Sequence, residues 1–141
     1  GAVAAASIRT RESLRDTEQR IADLALLGKQ IDTYRKLKPV YDRYKASKDK
    51  EKFLRGFESE IILFEAAARE IKKAGLTKLP SSDKVKAELE GLSARKAALQ
   101  TELRKIQREE KEYDTLRQNV DALLERPKEQ EQQRQRSNDL E

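Results

Sequence analysis

The sequence predicts an all-α fold, an elongated antiparallel coiled-coil helical hairpin, and three observations carry that expectation. Of 141 residues, 40% are charged and only 36% hydrophobic, too little apolar material for a thick globular core but enough for narrow seams between helices. Five Gly and three Pro are too few for the many turns of a sandwich, a barrel or repeated βα units. Alternating steps of four and three link Val85, Leu89, Leu92, Lys96, Leu99, Leu103, Ile106, Glu110, Tyr113, Arg117, Val120 and Leu124, and nine of these twelve are apolar. Six heptads of that regularity require partner helices along the seam.

The elements follow in order. Leu14, Ile21, Leu24, Leu27, Ile31 and Tyr34 recur at helical steps and predict a first helix over about 8–37. Pro39 disfavours helix at Lys38, so a short helix over about 39–46 is expected to follow a break. Ser47 is the expected N-cap of the next helix, about 49–74, whose face of Phe53, Leu54, Phe57, Ile61, Phe64, Ala68 and Ile71 is the widest in the chain. Gly75-Leu76 reads as a left-handed helix stop and Leu79-Pro80 as loop. Ser81 or Ser82 caps a last helix over about 82–125, ended by Pro127 and about 66 Å long. The expected arrangement is this long helix covered by the two successive helices 8–37 and 49–74. Residues 1–126 form one elongated domain. Residues 127–141 have little to bury and are expected to be a disordered polar tail, with Leu140-Glu141 as a vector-derived end. The chain has no Met and reads as excised from a larger protein.

Chemistry is sparse. Without His or Cys there are no imidazole acids, bases or metal ligands and no thiolates, so no catalytic, cofactor-binding or metal site is assigned. There is no Gly-rich phosphate loop and no nucleophile elbow. Carboxylate groupings such as Glu109, Glu110 and Glu112 read as a solvated helix face. No apolar run approaches a membrane span and no signal peptide is recognisable, so no membrane partner and a cytoplasmic location are expected.

The candidate interface is the segment 34–52. Arg35, Lys36, Lys38, Arg43, Lys45, Lys48, Lys50 and Lys52 oppose only Asp42, Asp49 and Glu51, a surplus equal to the net +5 of the whole chain. Tyr34, Tyr41 and Tyr44 interleave with these cations. Aromatic rings among basic side chains are what a phosphate-tracking, base-stacking surface uses, so Arg35, Lys36, Lys38, Tyr41, Arg43, Tyr44, Lys45, Lys48, Lys50 and Lys52 are the candidate nucleic-acid contacts. The competing reading has the tyrosines packing on neighbouring helices while the cations keep the junction soluble. Leu26, Leu37, Leu116 and Leu123 lie off the seam or at its margin and could serve a protein partner or a homodimer.

The tyrosine-rich approach IDTYRKLKPVYDRYK, the block FESEIILFEAAAREIKK and the loop KLPSSDKVKAELEGL opening a long helix resemble the C-terminal helical region of relaxases, the mobilisation nucleases of conjugative and integrative elements of Gram-positive bacteria. With the continuation KAALQTELRKIQREEKEYDTL, the resemblance covers about 31–124. In that family the nicking site, a tyrosine nucleophile with a histidine-bound metal, lies in an N-terminal domain. This chain has no histidine, so no catalytic residue carries over. The resemblance implies a non-catalytic accessory domain, engaging DNA, relaxosome proteins or the coupling machinery during plasmid or transposon mobilisation in a bacterial cytoplasm. The alternative is a structural spacer, or an interaction or dimerisation module without nucleic-acid binding.

Overall fold

The computed structural model describes the backbone of residues 1–139 and the side chains of residues 1–125. Among the described residues there are three helices and no strand: α1 (Ala2–Ala46), α2 (Lys50–Lys73) and α3 (Ser82–Asp139). The chain divides into two compact units, one of residues 15–97 and the other of residues 1–14 with 98–141.

In the 15–97 unit, α1 is the element to which the others attach. Tyr34 and Tyr41 of α1 both stack on Phe64 of α2, with ring centroids 4.7 and 4.3 Å apart, and Tyr44 meets Phe53 at 6.0 Å. The pairs run in opposite chain directions, so α1 and α2 are antiparallel. Further back along α1, Gly28 faces α3: a Cβ placed there would lie 3.2 Å from Val85 Cγ1, so the missing side chain permits the close approach. Lys96 Nζ lies 3.9 Å from Glu18 Oε1, which sets α3 antiparallel to α1 as well. It is α1 that pairs with α3 over Val85–Lys96, while the aromatic face of α2 is stacked against the C-terminal part of α1. Ile31, Ile61, Phe64, Ala67, Ile71 and Val85 form the buried core, and Ile31 and Ala67 are almost wholly enclosed. At about 25 cal/mol per Å2 of apolar surface removed from water, such side chains supply most of this unit's stability.

Pro39 does not end the first helix. α1 runs through it to Ala46, so the expected break at Lys38 and the separate helix over 39–46 are absent. A proline inside a helix loses one backbone bond and crowds the carbonyl four residues earlier, at about 3 kcal/mol. Here Tyr34 before the proline and Tyr41 after it pack on the same Phe64 ring, which aligns the two sides. Tertiary packing outweighs the local penalty.

The N-cap of α2 is Asp49, not Ser47: Asp49 Oδ1 accepts from Lys52 N at 3.0 Å. Ser47 Oγ instead donates to the Asp49 carbonyl at 3.1 Å and steadies the turn. α2 is kinked at Phe57, whose φ of −136° and ψ of 24° are non-helical. Its end matches expectation, with Gly75 at φ 74° donating to the Lys72 carbonyl at 3.0 Å. Ser81 caps α3, its Oγ accepting from Lys84 N at 3.1 Å. The loop between is tied to α1 by Arg35, whose Nη2 donates to Pro80 O at 2.6 Å, and the first residue of α3 adds a bond from Ser82 Oγ to Asp32 Oδ1 at 3.3 Å.

In the other unit, residues 2–14 of α1 pack with the α3 segment that begins at Ala98. Among its described residues the buried ones are Ser7, Thr10 and Ile106. Ser7, Thr10, Leu14, Thr17, Ile21, Leu24, Gly28 and Ile31 follow one another at steps of three and four, so the stripe of α1 continues to the N-terminus through small hydroxyl residues. That is why the helix starts at Ala2 rather than near Ile8. The backbone of α3 continues as helix to Asp139, past Pro127, where the sequence predicts a disordered tail. Leu140 and Glu141, and with them the expected vector-derived end, lie outside the described residues.

Candidate nucleic-acid interface

The junction between α1 and α2 gathers the ten candidate residues, and the structure divides them into two groups. In the first, the side chains already have work within the chain. Arg35 holds the α2–α3 loop through the Pro80 carbonyl, with the Leu79 carbonyl at 3.4 Å. Lys38 pairs with Asp42 one turn on at 3.2 Å. The Arg43 guanidinium lies over the Phe53 and Phe57 rings, 5.6 and 5.5 Å from their centroids. Lys45 Nζ sits 5.3 Å from the Tyr41 centroid. Each such contact is worth about 0.5–1 kcal/mol at exposed positions.

The tyrosines belong to this group. Tyr34, Phe64, Tyr41, Tyr44, Phe53 and Phe57 form an unbroken series of ring contacts, each 4.3 to 6.1 Å between centroids. Tyr41 and Tyr44 are half-buried in it. The series welds α1 to α2, so these rings act as packing groups between helices rather than as open platforms for bases.

In the second group are Lys36, Lys48, Lys50 and Lys52. All four are exposed, and among the described residues their ammonium groups have no ion-pair or hydrogen-bond partner. Lys48 and Lys50 flank the Asp49 cap, where the chain turns, and Lys52 lies in the first turn of α2. The junction therefore offers exposed cations on a base of stacked rings, an arrangement that can hold phosphates but provides no hydrogen-bond pattern for reading bases.

The phenylalanines that engage the tyrosines and Arg43 were legible only as core residues of α2. That the loop carbonyls would take Arg35 had no signal in sequence, because the partners lie 44 and 45 residues away. Of the four leucines proposed for partner contacts, Leu26, Leu116 and Leu123 are 57 to 62% exposed, whereas Leu37 is half-buried.

Elsewhere in the 15–97 unit, an open cleft of ≈ 1010 Å3 is floored by Leu24, Leu27, Leu76, Leu79 and Val85. Four acidic and four basic residues share its lining, so its charge favours neither sign of ligand. Among the described residues no group of three or more acidic side chains is placed to hold a metal, and no helix is long and apolar enough to cross a membrane. No protein-family model, no curated protein and no solved structure matches the chain.

Proposed function

We propose that this chain is a non-catalytic helical accessory domain of a conjugative relaxase, and that it engages DNA through the lysines of the α1–α2 junction during mobilisation. The observation that supports this reading most directly is the set Lys36, Lys48, Lys50 and Lys52, four exposed cations without partners among the described residues, in a stretch that carries the chain's whole surplus of positive charge. Because the neighbouring rings are spent on helix packing, the contact is to the phosphate backbone. It is insensitive to base sequence and steeply sensitive to salt.

Titration of duplex and single-stranded DNA at low and moderate salt tests the reading. Binding is expected to weaken with salt, with a log–log slope of about 0.7–0.9 per phosphate contact. Replacing Lys36, Lys48, Lys50 and Lys52 together by Gln should flatten that slope. Arg43→Gln should leave it nearly unchanged, since Arg43 is occupied by Phe53 and Phe57. No binding at low salt, or an unchanged slope in the fourfold variant, overturns the proposal in favour of a spacer or protein-interaction module.

A further inference from the structure

A second surface lies on α3, within the unit that holds residues 98–125. Leu99 and Leu103 are half-buried and Ile106 is buried, but from Lys111 to Glu125 every residue is exposed. An apolar stripe nevertheless continues past the charged seam positions Glu110 and Arg117, widened by Leu116 and Leu123 at the margin of the seam. Tyr113, Leu116, Val120, Leu123 and Leu124 follow at steps of three, four, three and one, and are 64, 62, 47, 62 and 67% exposed. A helix presenting five large apolar side chains in one stripe about 100° wide has the pattern of a helix-pairing face, whereas isolated exposed leucines would need no explanation.

The charges beside the stripe select its occupant. Between Glu109 and Glu125 there are six acids, Glu109, Glu110, Glu112, Asp114, Asp121 and Glu125, against Lys111 and Arg117. At helical spacing Glu110, Asp114, Asp121 and the single cation Arg117 run along one edge of the stripe and Glu112 lies on the other, so the flanks carry four acids against one base. A second copy would bring together two edges that each carry three acids against Arg117, and a surplus of like charge across a helix pair is destabilising. A nucleic acid is repelled for the same reason.

We infer that the Tyr113–Leu124 stripe of α3 docks a basic amphipathic helix of a partner protein, with apolar residues at three- and four-residue steps and Lys or Arg at its flanks. The seam that buries Ile106 in this unit is thereby prolonged by about three turns. The apolar contacts supply affinity, and the acidic edges supply partner choice and orientation. This surface acts independently of the lysine junction.

The probe is a synthetic peptide of about three heptads, with Leu at the seam positions and Lys at the flanks, compared with a twin carrying Glu in place of Lys. The Lys peptide is expected to bind at least about tenfold more tightly than its twin, the gap narrowing as salt rises. Leu116→Gln with Leu123→Gln should reduce its binding by at least about tenfold. Both positions are exposed, and retained helical circular dichroism will confirm the fold. The fourfold lysine variant should bind the peptide as the unaltered chain does, which separates this surface from the DNA reading. Equal binding of the two peptides, or binding of neither, overturns the inference. So does a dimer of the protein alone that is abolished by the two leucine substitutions, since the occupant would then be a second copy.

Discussion

The two units use the same heptad spacing and fill it differently. In the 15–97 unit the seam residues are Ile31 and Val85, thickened by Ile61, Phe64, Ala67 and Ile71 of α2 and by the series of stacked rings. In the unit of residues 1–14 and 98–125, the buried positions are Ser7, Thr10 and Ile106, so two of three carry hydroxyls. Periodicity sets where helices meet, but the volume and polarity of the seam side chains set how strongly they hold. The first unit should therefore behave as the cooperative folding core, and the second as a low-stability region that opens locally.

The largest test of that contrast is Phe64→Ala. Phe64 is 5% exposed and in ring contact with both Tyr34 and Tyr41, so truncation leaves a cavity and releases the packing that spans Pro39. The expected loss is about 3–5 kcal/mol by denaturant unfolding. Hydrogen exchange should rise on both sides of Pro39. A loss below about 1 kcal/mol would mean that the aromatic series is ornamental and α1 continues through Pro39 for another reason.

Ile106→Ala applies the same operation to the other unit. Ile106 is 7% exposed and is the one large apolar group among that unit's described buried residues, so about 2 kcal/mol should be lost. The effect should be local. Exchange protection should fall in 2–14 and 98–110 while Ile31 and Phe64 keep theirs. If protection falls equally in both regions, the chain unfolds as one cooperative body and the contrast fails.

These particulars show what the sequence could and could not disclose. The α3 seam from Val85 to Ile106, the Gly75 stop and the Ser81 cap were legible because each depends on local spacing or on one residue's backbone preference. Pro39 misled because its penalty is local, whereas the stacking that overcomes it joins residues more than twenty positions apart. Ser47 misled because two residues with capping side chains stand two apart, and only the backbone decides between them. The N-terminal continuation of the α1 stripe was hidden because Ser7, Thr10 and Thr17 count as polar in a hydrophobic pattern, although at a close helix contact small size matters as much. At the junction, the surplus of cations was legible, but which of them remain unpaired was not. Occupancy by Pro80, Asp42, Phe53 or Tyr41 depends on side-chain placement.

The smallest expected effect tests that point about size. Ser7 Oγ accepts from Arg11 Nε at 3.2 Å, one turn along the same helix, and the hydroxyl is otherwise among the unit's buried groups. Ser7→Ala removes this part-buried bond but keeps a small residue at the contact. It also replaces a middling helix former by the best one, a gain of about 0.5 kcal/mol. A bond between neighbours on one helix contributes only a few tenths in return, since the Arg11 guanidinium can turn to water. The substitution should therefore stabilise residues 2–14 slightly, read as slower amide exchange there and nowhere else. Faster exchange would show that the hydroxyl itself holds the seam, and the low stability assigned to this unit would need to be drawn from Thr10 and Ile106 alone.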